Sequence, residues 1–180
     1  MTETPKPPEL PKPLHPGESH LPRALRQFHE TYGHPTPTEP IDVTTTEAKE
    51  FLRFRHSLSA EEFAEFTRSL FGKKGEEILT KAIQEIYNLI PTEKMVIDKV
   101  ELLDSLADQT VINAGTAVGA GISLDKALME VHASNMSKLG TDGKPILRED
   151  GKILKGENYF PPNLKPLWEG KQTPHMGNQQ

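Results

Sequence analysis

The chain has 180 residues, no cysteine, 34% hydrophobic residues, 16 prolines and a formal net charge of -5. The missing cysteine excludes disulfides and thiolate metal ligands. The acidic balance argues against sequence-independent binding of long nucleic acid, where phosphate neutralisation supplies most of the affinity.

In chain order, residues 1–20 (MTETPKPPELPKPLHPGESH) alternate Lys with Pro and have almost nothing to bury, so a disordered or extended segment is expected. Residues 21–32 read as a short helix with Leu25 and Phe28 spaced toward a core, ended by Gly33 and the Pro-rich connector 34–40. Thr44, Thr45 and Thr46 offer N-caps for a helix over 46–70, whose Phe51, Phe54, Leu58, Phe63, Phe66 and Leu70 recur at helical spacing. Ser59 and Glu62 also fit a capping box. The apolar spacing runs through Ser59 without Pro or Gly, which favours one continuous helix.

Gly72 and Gly75 break that helix. A third over 76–90 turns Ile78, Ala82, Ile86 and Leu89 inward and is closed by Pro91. A fourth spans 96–120, and Ser123 caps a fifth that carries Leu124, Leu128 and Val131 and runs to about residue 138. Beyond it, Gly, Pro, Lys and Asn replace helical periodicity. The expected fold is all-α: a helical domain over 21–138 forming a four- to five-helix bundle, a Pro-rich disordered segment at 1–20, and an extended, irregular wrapping arm at 139–180. No basic-then-apolar leader opens the sequence and no run approaches 18 apolar residues, so neither signal peptide nor membrane span is expected and the compartment expected is the cytoplasm.

Two helices carry carboxylates in clusters. Glu61, Glu62 and Glu65 form EExxE and span roughly 100° of azimuth, in the sector where Phe54 and Leu58 project one or two turns earlier. Glu101, Asp104 and Asp108, within KVELLDSLAD, lie within roughly 60° of one another. Like charges at i,i+4 oppose helix formation by a few tenths of a kcal/mol per pair. Two such turns packed face to face would make a cage of hard oxygen ligands suited to Mg2+ or Mn2+, and bound cations let an acidic pocket take a nucleotide. Taken singly, each string is equally a solvated helix surface.

The fifth helix sets His132, Asn135 and Lys138 at i, i+3 and i+6. Asn135 shares an azimuth with Leu124, Leu128 and Val131 to within roughly 40°, so it is either a packed, hydrogen-bonded residue or a substrate contact. His132 lies at the edge of the stripe, as a structural histidine or a ligand contact. Arg53 and Arg55 diverge by roughly 160°, and ordinary ion pairing is expected of both. Gly115, Gly119 and Gly121 allow a neighbouring helix or a flat base to come close, helix packing being the slightly favoured reading. The arm holds Lys144, Arg148, Lys152, Lys155 and Lys165 with Tyr159, Phe160 and Trp168, which read alone is a solvated arm with aromatic anchors.

The stretches LRQFHETYG, LRFRHSLSAEEFAEF, LLDSLADQTVINAGTAVGAGISLDKALMEVHASNMSK and DGKPILREDGKILKGENYFPP cover about residues 23–162. In their order they resemble the MazG-like, phosphoribosyl-ATP pyrophosphohydrolase-like branch of the all-alpha NTP pyrophosphohydrolase superfamily. The resemblance implies a helical core holding two or three Mg2+ ions, with Mn2+ able to substitute, through EExxE and a later ExxD. It implies hydrolysis of a (d)NTP to (d)NMP and diphosphate by metal-activated attack of water on the α phosphate. Glu61, Glu62 and Glu65 fall on EExxE, with Glu61 or Glu62 accepting the water proton and Glu65 bridging metals. Asp108 falls on the Asp of ExxD.

The Glu of ExxD falls at Ser105, so Asp104 is the expected replacement ligand and Glu101 the second candidate. The resemblance assigns Asn135, Lys138 and His132 to substrate contact. It sets the arm, with Lys144, Lys155 and Tyr159, over the bundle or a neighbouring subunit, where its cations would grip the triphosphate. It also implies a homodimer or homotetramer. House-cleaning of nucleotides, or control of a dNTP pool by a bacterium or phage (then in the host cytoplasm), would follow. Two other readings stand beside it: hydrolysis of phosphoribosyl-ATP, and a noncatalytic helical interaction protein that keeps only the scaffold.

Overall fold

The computed structural model describes residues 9–14, 16–148 and 153–170; the start of the Pro-rich segment (1–8), Lys152 of the arm and residues 171–180 lie outside them. The fold is all-α. Its elements are α1 (His20–Tyr32), α2 (Thr46–Leu89), a 3₁₀ turn (Thr92–Lys94), α3 (Lys99–Gly119), α4 (Leu124–Met136) and α5 (Lys165–Trp168). Among the described residues, extended pairing is limited to an isolated antiparallel bridge between Leu147 and Ile153, and no helix is long and apolar enough to cross a membrane. The chain divides into two compact units, one of the described residues up to Thr36 and from Gln109 onward, the other Pro37–Asp108.

The unit Pro37–Asp108 is built on α2. Asp42 accepts from the Thr44 amide at 3.0 Å and the Thr44 hydroxyl at 2.8 Å. These bonds hold its carboxyl below the ordinary aspartate value. Thr45 then caps α2 by accepting from the Ala48 amide at 3.2 Å. The helix continues through Ser59, whose hydroxyl donates back to the Arg55 carbonyl at 3.2 Å.

The break comes at Gly72, with φ 69° and ψ -174°, a conformation that costs glycine nothing and strains any other residue. Beyond it the second arm of α2 (73–89) returns antiparallel to the first. Arg68 meets Glu76 at 3.2 Å near the turn, and Arg53 meets Tyr87 and Ile90 at the far end. A Cβ at Gly75 would sit 2.9 Å from Phe71 Cβ, so the second glycine allows the turn to close. Helical geometry resumes directly after Gly72, three residues earlier than the spacing predicts. Asp98 opens α3 by accepting from the amides of Val100 (2.9 Å) and Glu101 (3.1 Å).

The predicted inward faces of α2 correct differently. Phe54, Phe63, Phe66, Leu70, Ile78, Ala82, Ile86 and Leu89 are all exposed, and only Phe51 and Leu58 are partly covered. Val43, Ala48 and Ala64 are what this unit buries. A helical hairpin has one seam, and α3 does not pack extensively along α2. Val100 and Leu103 on α3 are 78% and 70% exposed. Periodicity identifies an apolar stripe but not what covers it.

The other unit packs α1 against α4. Gly33 closes α1 at φ 70°, with the His34 amide donating to the His29 carbonyl at 2.8 Å and the Gly33 amide to Glu30 at 3.4 Å, the 6→1 and 5→2 pattern of a Schellman close. Ala24, Tyr32, His132, Ala133 and Ser134 are buried. The Tyr32 hydroxyl donates to the Asn135 carbonyl at 2.7 Å, which also accepts from the Lys138 amide at 3.2 Å at the end of α4. Among the described residues Gly115, Gly119 and Gly121 have no neighbour where a Cβ would sit, and the expected close helix approach is not seen there.

Past α4 the arm returns to it. The Ser134 hydroxyl donates to the Phe160 carbonyl (2.8 Å), the Phe160 amide to Ser137 Oγ (3.1 Å), and the Gly156 amide to the Lys138 carbonyl (3.1 Å). Leu167 of α5 is buried. Residues 9–12 lie beside α1 without regular secondary structure, their carbonyls accepting from Arg23, Arg26 and Gln27. The Pro-rich composition gives no sign of this docking.

Candidate active site

The acidic residues lie in Pro37–Asp108. Glu61, Glu62 and Glu65 project from the first arm of α2 and all are exposed. Glu61 and Glu62 have no ion-pair or hydrogen-bond partner among the described residues, and Glu65 has a marginal one, Arg68, at 4.0 Å. Glu101, Asp104, Ser105 and Asp108 project from the first half of α3, again exposed.

The chain alone does not gather these carboxylates. Among the described residues no group of three or more His, Asp or Glu side chains converges as a metal site. Among the described residues the two acidic turns stay apart, because α3 makes little contact with α2. The donor chemistry itself fits a hard divalent cation, since every candidate is a carboxylate and none is consumed by a strong ion pair.

Around α4 the other expected residues sort into two groups. His132 is buried, and its Nε2 lies 3.0 Å from Gln27 Oε1. Burial holds its imidazole below the ordinary histidine value. Asn135 and Lys138 are half-buried and bond to each other, Lys138 Nζ donating to Asn135 Oδ1 at 2.8 Å. The Gly156–Lys138 bond brings the arm's Lys155 and Tyr159 to this end of α4. Lys155 Nζ stands 4.3 Å over the Tyr159 ring, and the Lys144 carbonyl accepts from Gly140 at 2.8 Å.

Lys138 therefore has a neutral partner. An anion displacing Asn135 from it breaks no ion pair, so the exchange is cheap. Asn135 and Lys138 thus bond to each other, Lys155 and Tyr159 pair with each other on the arm that bonds the Lys138 carbonyl, and His132 is turned to Gln27 of α1.

Spacing missed the role of Arg53. Its guanidinium donates to the carbonyls of Ile90 (2.8 Å) and Tyr87 (2.9 Å) and stacks 4.6 Å over the Tyr87 ring. It caps the end of α2 in place of the ion pair expected. Pro91 was the available signal, since a helix stopped there leaves carbonyls needing donors. Tyr87 is further held by His56, whose Nδ1 is 2.6 Å from the phenol oxygen. Arg53 and Tyr87 wall an open cleft of about 280 Å³ with Glu50, Phe54, Ser57 and Thr92.

Residues 25–135 match the family model described as phosphoribosyl-ATP pyrophosphohydrolase. Both acidic turns and most of α4 fall inside that span. The fold is similar to a crystal structure from Exiguobacterium sp. 255-15, named there as a candidate NTP pyrophosphohydrolase. The TM-score is 0.55 and the identity 24%, covering 84% of this chain and 93% of that one. Curated proteins give no match.

Proposed function

The chain belongs to the phosphoribosyl-ATP pyrophosphohydrolase family, within the all-alpha NTP pyrophosphohydrolase superfamily. On that premise we propose that it is a Mg2+-dependent nucleoside triphosphate pyrophosphohydrolase, converting a (d)NTP and water to the (d)NMP and diphosphate. The observation that carries this is the survival, inside the matched span, of three EExxE carboxylates and an Asp at 108 that the fold leaves exposed and without strong partners.

In this reading water attacks the α phosphorus, the bridging bond to the β phosphate breaks, and diphosphate leaves. Glu61 or Glu62 accepts the proton of the attacking water. Glu65, Asp108 and Asp104, with Glu101 as the alternative to Asp104, would hold the cations. Mg2+, or Mn2+ in its place, supplies neutralisation of the charge that develops on the phosphate oxygens. Lys138 and Asn135, with Lys155, Tyr159 and Lys144 of the arm, receive the polyphosphate or sugar.

The acidic turns need a surface to converge on, and the apolar faces of α2 and α3 need one to be buried against. We assign both to a second copy of the chain, so the active species is a homodimer or a homotetramer. Contiguous exposed apolar surface of this extent is not left to water in a stable protein.

The family model favours a second substrate, phosphoribosyl-ATP. Its bond cleaved is the same, so the two readings differ in the nucleoside and not in the chemistry. The deciding experiment is a panel of nucleotides, with phosphoribosyl-ATP among them, incubated with Mg2+, with Mn2+ and with chelator. Monophosphate plus diphosphate, formed only with metal, is the expected result. Diphosphate nucleotide plus orthophosphate, or no turnover of any member, would overturn the reading.

A further inference from the structure

The contact between the Pro-rich segment and α1 has a specific form. Arg23, Arg26 and Gln27 stand at i, i+3 and i+4 on one helix face and donate to four consecutive carbonyls. Arg23 Nε reaches Pro11 O at 2.7 Å and Arg23 Nη2 reaches Leu10 O at 3.4 Å. Arg26 Nη2 reaches Lys12 O at 2.9 Å, and Gln27 Nε2 reaches Glu9 O at 3.0 Å. Glu18 fixes the turn that follows, accepting from the Leu14 amide at 2.7 Å and pairing with Arg26 at 3.5 Å.

A segment with prolines at 11 and 13 suits such a row of donors. Proline offers a carbonyl without an N–H and arrives with φ already restricted, so docking costs little conformational entropy.

The last of these bonds determines the state of a buried group on another helix. A peptide carbonyl only accepts, so the Gln27 amide must turn its NH2 to Glu9 and its oxygen away. That oxygen faces His132 Nε2 at 3.0 Å. It too only accepts, which requires His132 Nε2 to carry a proton and leaves Nδ1 as the lone-pair nitrogen of the neutral ring.

We propose that residues 9–14 are a strap built into the chain, and that Gln27 is a positioning residue through which the strap holds His132 as its Nε2–H tautomer. Without the strap the Gln27 amide is free to rotate, the acceptor facing His132 alternates with a donor, and the ring loses its single proton position. The effect on catalysis rests on the reading given under the proposed function, because α4 carries His132 together with Asn135 and Lys138. The effect on the imidazole does not.

The test is nitrogen-15 NMR of the histidine rings in the full chain, with His132 identified by the signal lost in His132→Gln. The full chain should show one neutral tautomer protonated at Nε2. Gln27→Leu and deletion of residues 1–14 should each give exchange-averaged or mixed tautomers. Gln27→Glu separates the two roles: its carboxylate still accepts from Nε2–H but has no hydrogen to give Glu9. That variant should keep the tautomer while the amides of Leu10, Lys12 and Leu14 become mobile by heteronuclear relaxation.

If the deletion fails to fold, Arg23→Ala combined with Arg26→Ala loosens the strap in the full chain and should mix the tautomers in the same way. An Nδ1–H tautomer in the full chain, or an unchanged Nε2–H signal in the deletion or in the Arg23→Ala, Arg26→Ala double variant, overturns the proposal. A changed tautomer with unchanged turnover would leave the strap intact and count against the functional role of α4 alone.

Discussion

Arg53 and Tyr87 sit thirty-four residues apart at the open end of the α2 hairpin, the guanidinium 4.6 Å over the ring and 2.9 Å from the same residue's carbonyl. One side chain thus both stacks on the returning arm and satisfies its last carbonyls. Arg53→Ala should cost on the order of 2 kcal/mol, the sum of charged hydrogen bonds to backbone and a partly covered cation–π contact. Arg53→Lys should recover less than half of it, because an ammonium lacks the planar fork. Denaturant midpoints of the three proteins, compared at equal chain concentration, give the answer; equal midpoints would remove Arg53 from the hairpin's stability.

His132 makes stability depend on pH with a definite sign. Its folded pKa is depressed by burial, so the unfolded chain takes up a proton first as pH falls. The contribution is fully present above the unfolded value near 6.5 and is lost as pH falls from there through the folded value. His132→Gln should flatten the thermal midpoint between about pH 7 and 5 while the wild type declines. A wild-type midpoint that stays level across that window would contradict the assignment.

Glu65→Ala and Asp108→Ala should each lower turnover by at least about 100-fold, the scale expected when a group stabilising transition-state charge is removed. Both residues are exposed and support no packing, so circular dichroism should be unchanged. Near-normal activity in Glu65→Ala would place the cations elsewhere.

Asp104 and Ser105 make a paired test. Asp104 lies one turn from Asp108 at i-4, and Ser105 at i-3; their azimuths fall roughly 40° and 60° to opposite sides of Asp108. A serine hydroxyl is a poor Mg2+ ligand, so Asp104→Asn should weaken metal dependence and turnover strongly and Ser105→Ala should do little. Asp104→Ser with Ser105→Glu should restore much of the loss. A silent Asp104→Asn would pass the role to Glu101, tested by Glu101→Gln.

Gly156 is held just past the end of α4 by its amide bond to the Lys138 carbonyl, and a Cβ there would overlap the Leu139 backbone carbonyl. Gly156→Ala should detach the arm near Lys155 and Tyr159. Amide exchange at Phe160 should rise, and KM for a triphosphate should increase more than kcat falls. An unchanged KM would separate the arm from substrate.

The helices were legible in the sequence because their signals are local: Gly33 ends α1, Thr45 caps α2, Gly72 reverses it, and Pro91 forbids continuation. EExxE and Asp108 were legible as chemistry for the same reason. What could not be read was which surfaces meet. Phe63, Phe66 and Leu70 have the spacing of a core yet stay exposed, and the spacing of Glu61 and Asp108 says nothing about the distance between their helices. The Gln27–His132 contact was equally invisible, since it joins residues 105 positions apart through a glutamine with no periodic signature.

The bare faces of α2 and α3 have a consequence for how the protein responds to dilution. If Val100, Leu103, Phe71 and their neighbours leave water only when copies meet, folding and assembly share one equilibrium, and mass action governs both. The melting temperature then climbs with chain concentration, so the amount of protein present becomes a determinant of how much of it is folded. A cell making little of this chain would hold it partly open to proteases, and one making more would protect it without any change in sequence.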